Sequence, residues 1–437
     1  MKVFLLQILV FQLFGGGIHC QASTRRHTFV VREASYTRLC STKKMLTVNG
    51  QFPGPTIYAM KGETIIVDVY NRGKENVTIH CLGQSLVRRS SFSSEEGTLW
   101  WHAHSDWTRA TVHGAIIVYP KNGTKYPFHK PNAEVLIILG QWWKIDVNAI
   151  RDKGLANGAD ANASDSLLIN GQPGDLLPCS KSSTFKLTVD HEKTYLLRII
   201  NAALHEPLFF SIAKHKMTVV GTDGSYTKPL TQDYITIFPG QTFDVLLEAN
   251  QRPDHYYMAA KTYSDARQVV IFLITQPPQL LYRANGTRSA ASINNISFHT
   301  PTVDILEAYY YNINGVYGDK FPSVPPVVFD FTAYYLPLLY QLPSAGTEVR
   351  VLEYNSTVEI VLQGTNLVAG VTHPMHLHGH SFYVVGWGFG NFDEIGILCT
   401  TIWWILPIRI PSLFLRMVGL QSDSRHPTLE CGSCTAM

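Results

Sequence analysis

Two pairs of histidines stand one residue apart in this sequence, His102-Ala103-His104 and His376-Leu377-His378. On an extended strand, residues two apart point to the same face. Two imidazoles on one face repel when both are charged. They make sense as neutral ligands that share one metal ion or bridge two. A lone histidine is usually a hydrogen-bonded core or surface residue, but two such pairs in one chain point to a metal site. His80 is a candidate fifth ligand. His373 lies beside Pro374, whose ring fixes the local backbone, so it need not share a face with the alternating pair and is a candidate for a separate ion. His380 continues the alternation but matches His215 in "KHKMTVVG", and reads as a supporting or structural residue. His19, His27, His113, His129, His191 and His426 lack a partner at ligand spacing and read as ordinary. Imidazole-rich sites suit Cu, Zn, Fe or Ni, and spacing alone does not choose among them. Histidines on facing strands of stacked β-sandwiches, however, are how copper proteins build their sites.

The elements that must position these residues are strands. "VNGQFPGP" (Val48 to Pro55) is echoed by "INGQPG" (Ile169 to Gly174) and more loosely by "INGVYGDKFPS" (Ile313 to Ser323). Each is followed by an alternating, β-branched segment ending in Asn: "GETIIVDVYN", "EKTYLLRIIN" and "NSTVEIVLQGTN". Alternation with period two between turn residues means β-strand. The repeat period is that of a whole β-sandwich domain, so the chain reads as all-β with three sandwich domains. The middle copy serves as an internal control. Aligned at Pro374 and Pro207, His376 falls opposite Phe209 and His378 opposite Ser211. The strand can be built without the paired histidines, so folding does not require them.

Composition agrees. The 437 residues suffice for two or three domains, and 45% apolar content supports packed cores. A net charge of +3 with no basic cluster argues against nucleic acid. The first 22 residues, "MKVFLLQILVFQLFGGGIHCQA", read as a secretory signal peptide, with an apolar run too short for a stable membrane anchor. Secretion fits six N-x-S/T glycosylation candidates at Asn76, Asn122, Asn162, Asn285, Asn295 and Asn355. Of the cysteines, Cys40 and Cys179 are candidates for a bridge between the first two domains.

"GTLWWHAHSDWTRATVHGAIIVYP" (Gly97 to Pro120) and "HPMHLHGHSFYVVGWGFGNFD" (His373 to Asp393) closely resemble plant laccases, which are multicopper oxidases. "NGQFPGPTI" and "TYLLRIINAALHEPLFFSIAKHKMTVVGTDG" fit the same family, and the likeness runs from Phe29 to about Glu394. The resemblance implies three cupredoxin (Greek-key β-sandwich) domains over 29–150, 160–280 and 300–394, the second without copper ligands and the third incomplete. It implies a secreted, monomeric glycoprotein of the apoplast. Its partners would be phenolic small molecules (lignin, monolignols and lignin-derived products), oxidised while O2 is reduced to water. Four copper ions do this work in the family. By position, His80 and His376 would bind the type 2 copper, His102, His104 and His378 the type 3 pair, and His373 the type 1 copper.

The sequence departs from the family pattern in three places. Leu82 stands where the H-W-H-G motif carries a type 3 histidine, in a segment that is short for the family. No H-C-H motif, which supplies the type 1 thiolate and two type 3 ligands, occurs after Asp393, and 395–437 reads as an atypical tail. The stretch around Ala266 to Gln279 is also short. By this count the type 3 pair keeps three of six ligands and the type 1 site keeps one histidine. Without final strands the third sandwich is expected to carry an open edge. Turnover by this chain is therefore expected to be impaired. The rival readings are a catalytically silent cupredoxin-like wall protein and, less favoured by the text around His102, an ascorbate-oxidase-type enzyme.

Overall fold

The computed structural model describes residues 24–81, 90–92, 95–157, 163–175, 179–180, 184–262, 292–299, 301–333, 335, 337–341, 343–353, 356, 358–363, 375–377, 382–392, 413–419 and 434–436. The first domain is built from β1 (Thr24–Arg38), β2 (Ser41–Val48), β3 (Ile57–Met60), β4 (Thr64–Asn71), β5 (Ile79–Cys81), β6 (Ser90–Ser91), β7 (Gly97–Ala103) and β8 (His113–Tyr119). They form two four-stranded sheets, β2-β1-β4-β6 and β3-β8-β7-β5. Alternate residues of both sheets, among them Phe29, Val31, Ile65, Val67, Leu99, Trp101, Ile116 and Val118, meet in one core.

The β1–β2 hairpin turns through Leu39 and Cys40, both with positive φ, at 51° and 60°. Two consecutive left-handed residues are the signature of a type I′ turn, which usually takes Asn or Gly. Here tertiary contacts hold it. Leu39 is buried against Met45, Trp142 and Leu168, and Cys40 is bridged to Cys179, with Cα atoms 5.5 Å apart. The bridge expected from sequence therefore forms.

The second domain comprises β9 (Ala133–Trp142), α1 (Val147–Asn157), β10 (Ser166–Ile169), β11 (Gln172–Pro173), β12 (Thr194–Asn201), β13 (Leu208–Ile212), β14 (Met217–Thr222), β15 (Ser225–Gln232), β16 (Ile235–Ile237), β17 (Thr242–Glu248) and β18 (Met258–Thr262). β9 pairs with β10 and β12, so this unit takes in residues that the sequence reading, with its first domain ending at 150, assigned to the first. A seven-stranded sheet, β11-β10-β9-β12-β17-β14-β15, faces a three-stranded sheet, β16-β13-β18. In β13 the residues Leu208, Phe210 and Ile212 point into the core while Phe209 and Ser211 are half-buried on the other face. The positions aligned with His376 and His378 are thus on the outer face of the sheet. This explains how a domain can carry or lack ligands there without losing its core.

The third domain contains β19 (Ile296–Phe298), α2 (Ile305–Tyr310), α3 (Leu338–Gln341), β20 (Ser344–Gly346), β21 (Val358–Gln363), β22 (Met375–Leu377), β23 (Phe382–Phe389), β24 (Leu413–Gly419) and β25 (Cys434–Ala436). The segment after Asp393 supplies two of these strands. β24 lies between β21 and β23, antiparallel to both, and β25 pairs with β22, setting Thr435 opposite His376. Among the described residues no helix is long and apolar enough to cross a membrane.

Candidate metal centre

Strand β7 is buried along its whole length and serves two neighbours. Leu99, Trp101 and Ala103 enter the first-domain core. Thr98, Trp100 and His102 take the opposite face. Trp100 packs with Ala115 and Ile117 of its own domain and with Ile138, Ile200 and Ala202 of the second. Thr98 donates through Oγ1 to Asp244 Oδ1 at 2.5 Å and through its N–H to Oδ2 at 3.2 Å. Arg198, itself buried, binds Asp244 at 3.1 Å, Glu134 at 2.8 Å and the Tyr126 hydroxyl at 3.0 Å. Asp244 and Glu134 hold that guanidinium protonated despite its burial. Gly97 opens the strand at φ +125°, and a Cβ there would stand 2.5 Å from Asp244 Oδ2, so the close approach of the two domains requires glycine.

The other end of β7 carries the imidazoles. β5 is its antiparallel neighbour, and the register sets His80 directly opposite His102. Ring centroids are 5.6 Å apart for His80 and His102, 5.1 Å for His80 and His104, and 5.9 Å for His102 and His104. His104 lies just past the strand, its N–H donating to Thr78 O at 2.8 Å, while Thr78 N–H is tied to Ser105 Oγ at 2.8 Å. The H-x-H pair and the further candidate His80 therefore converge in this domain.

Their protonation suits ligation. His102 is fully buried, packs against Trp100 with ring centroids 4.3 Å apart, and bonds Ala103 O through Nδ1 at 2.9 Å. A carbonyl only accepts, so the proton sits on Nδ1 and Nε2 presents a lone pair. That Nε2 is buried and makes no hydrogen bond. A buried acceptor left bare is costly unless something fills it, and a metal ion is the partner this donor set fits. Burial, reinforced by the charges of His80, Arg109 and His104, keeps His102 neutral well below its ordinary range, against the opposing bond to Ala103. Burial and then Arg109 lower His104 as well. Both rings are thus biased toward the unprotonated form that ligation requires.

Among the described residues no three His, Cys, Asp or Glu are placed to hold one ion by themselves. Histidines that contribute one ligand each to different ions, completed from another domain, satisfy both that result and the convergence. Leu82, His373 and His378 lie outside the described residues, and of His376 the backbone of β22 is described. Asn76 and Asn122 are exposed and Asn295 is half-buried, while Asn162, Asn285 and Asn355 lie outside the described residues. His113, read as ordinary, is a buried structural residue whose Nδ1–H donates to Arg109 O at 2.7 Å. His215 likewise bonds Ala213 O at 2.8 Å and packs on Tyr256. The spacing argument missed Arg109, because its partner is 95 residues away and a single arginine carries no periodic signal.

Comparison with known proteins agrees with this geometry. Family models described as multicopper oxidase match residues 133–275, 320–397, and 30–92 with 82–123, the last in two pieces that meet at the shortened segment around Leu82. Laccase-14 of Arabidopsis thaliana is 44% identical over 481 residues, covering 90% of this chain and 83% of that protein. Putative laccase-9 of Oryza sativa subsp. japonica is 41% identical, covering 85% and 82%. Among solved structures, a laccase from Botrytis aclada aligns with a TM-score of 0.61 at 20% identity over 91% of this chain and 83% of that one. Fet3p, a multicopper oxidase that functions in iron import, aligns with a TM-score of 0.58 at 19% identity over 91% and 85%. At those identities the two structures speak for the fold alone, an all-β cupredoxin architecture, while the two plant relatives carry the assignment: the chain belongs to the plant laccase family of multicopper oxidases.

Proposed function

We propose that the activity this site serves is laccase-type oxidation of phenolic compounds (lignin, monolignols and lignin-derived products) coupled to reduction of O2 to water. The observation that carries the reading is the convergence of His80, His102 and His104 with the His102 Nε2 lone pair bare and buried. Copper, when bound, supplies one-electron oxidation of four phenols per O2 reduced to two waters. His80 with His376 would hold the type 2 ion, His102, His104 and His378 the type 3 ions, and His373 a type 1 ion. Ala103 O fixes the His102 ring, Thr78 fixes the backbone at His104, and burial keeps His102 neutral. The protein acts as a secreted monomer in the apoplast, without nucleic acid and without membrane insertion.

A second reading, a catalytically silent cupredoxin-like wall protein, is favoured by Leu82 and by the absence of an H-C-H motif from these 437 residues. The test is to secrete the chain, load it with copper, and measure metal content, the visible spectrum and O2 uptake with a methoxyphenol or ascorbate. Copper retention without a blue thiolate-to-copper band and with little phenol-dependent uptake is the expected outcome. A blue, phenol-oxidising protein would overturn the impairment. Failure to retain copper would overturn the site itself, and faster uptake with ascorbate would move the substrate assignment.

A further inference from the structure

The chain leaves β7 at His104, passes Trp107 and a short 3-10 helix (Thr108–Ala110), and returns as β8. This loop follows the paired histidines directly, and the second domain grips it. Asp106 forms an ion pair with Arg151 of α1. The Trp107 ring stacks on His205 at 5.9 Å. Ala110 is buried among Trp143, Val147, Ile150 and Leu204. One contact differs from these surface and packing contacts: Arg109 Nη2 donates to the main-chain oxygen of Leu204 at 2.6 Å.

That acceptor is itself fixed. Leu204 is buried, its N–H donates to Gln141 Oε1 at 2.9 Å, and the preceding turn is closed by Ala203 N–H on Asn201 Oδ1 at 2.9 Å. At its other end Arg109 offers its carbonyl to the buried His113. The residue is thus held by its side chain to domain two and by its main chain to β8. Its charge acts on both His102 and His104. The anchoring segment begins at Asn201, and the ligand-bearing segment of the third domain follows the equivalent Asn366.

We propose that Arg109 is a positioning residue for the metal centre: bonded to Leu204 O, it fixes the loop that directly follows His102 and His104 and so holds that end of β7, and the ligand-free middle domain contributes this anchor. The proposal rests on the reading that these histidines bind copper. It gives the second domain a role at the site although it supplies no ligand.

The test compares the full chain with Arg109→Met, Arg109→Lys and Gln141→Leu. The metal-free proteins are labelled with diethyl pyrocarbonate, and His102 and His104 are read by mass spectrometry. The same proteins are then titrated with Cu2+ and melted. Arg109→Met should expose His102 to labelling and weaken Cu2+ binding about 10- to 100-fold, as loss of a ligand-orienting contact typically does. Arg109→Lys, which keeps one donor and the charge, should recover most of both. Gln141→Leu, which frees the Leu204 N–H, should shift labelling in the same direction by less, and keeps the question open to measurement if Arg109→Met fails to fold. Labelling and Cu2+ affinity in a folded Arg109→Met protein equal to wild type would overturn the proposal, as would a lysine variant no better than methionine. If the wild type binds no Cu2+, the copper reading falls, whereas the metal-free labelling pattern still decides whether Arg109 fixes the loop.

Discussion

A bare Nε2 on His102 requires the proton on Nδ1, and the ring is held so by a backbone carbonyl next to it in sequence. The H-x-H spacing made the pair legible from the sequence, but strand periodicity accounts for His102 alone: His104 lies just past β7 and is placed by the bond from its N–H to Thr78 O. His113, opposite His102 on β8, was not legible. It carries no spacing signal, and its character comes from burial, which pushes it down to about 4 against the bond to Arg109 O. Its ordinary value is 6.5, so between pH 4 and 6.5 the unfolded chain binds more protons than the folded one. Stability therefore rises with pH across that window and is lost on acidification through it. The gap is worth roughly 3 kcal/mol. In a His113→Asn variant the fall in unfolding free energy from pH 6.5 to 4 should shrink by about that amount, read by urea denaturation at several pH values. His102 contributes a fall of the same sign and remains in the variant. An undiminished slope would show that His113 is not held neutral in the fold.

At the scale of the element, the alternation along the sequence gave away the strands β4, β12 and β21 and the repeat that relates them. What the alternation could not show is that β7 is buried on both faces, one of them against another domain. "GTLWWHA" has Trp at two successive positions, and only the structure separates Trp101, in the first-domain core, from Trp100, at the domain boundary. Thr98 is small and polar in the sequence, yet its hydroxyl is buried with Asp244 and Arg198. Thr98→Val keeps the shape and removes the donor. It should cost about 1–3 kcal/mol, the penalty for leaving a buried carboxylate short of a partner, measured as a lower denaturation midpoint. An unchanged midpoint would mean that Arg198 and the N–H of residue 98 satisfy Asp244 without the hydroxyl. The Leu39–Cys40 turn escaped sequence reasoning for a related reason. A type I′ turn normally announces itself through Asn or Gly, and here distant contacts at Trp142 and Cys179 stabilise a pair of residues that would not choose it.

At the scale of the molecule, domains one and two are joined by the Cys40–Cys179 bridge, the Trp100 cluster and the Arg198 network. These contacts join residues far apart along the chain, Arg198 and Glu134 by 64 positions, Cys40 and Cys179 by 139 and Thr98 and Asp244 by 146, and no pattern along one sequence reports such pairings. Arg198→Met would leave Asp244 and Glu134 without their shared cation. Breaking a buried pair in this way typically costs about 3–5 kcal/mol. The expected result is a lowered unfolding transition in which the first two domains part, seen as two transitions by calorimetry where the wild type gives one for that unit. A single transition at the original temperature would show that the disulfide and the apolar contacts suffice.

One consequence of the two-faced β7 concerns how this family can change over time. Leu99, Trp101 and Ala103 belong to one core, and Thr98, Trp100 and His102 to a neighbouring domain and to the histidine cluster. Inserting or deleting a single residue here would not weaken the strand by degrees. It would exchange the two sets, presenting core leucine and tryptophan to the second domain and turning the histidine into the core. Substitution can proceed along this stretch one position at a time, but its length is frozen, and lineages can vary the chemistry of the site far more readily than its spacing.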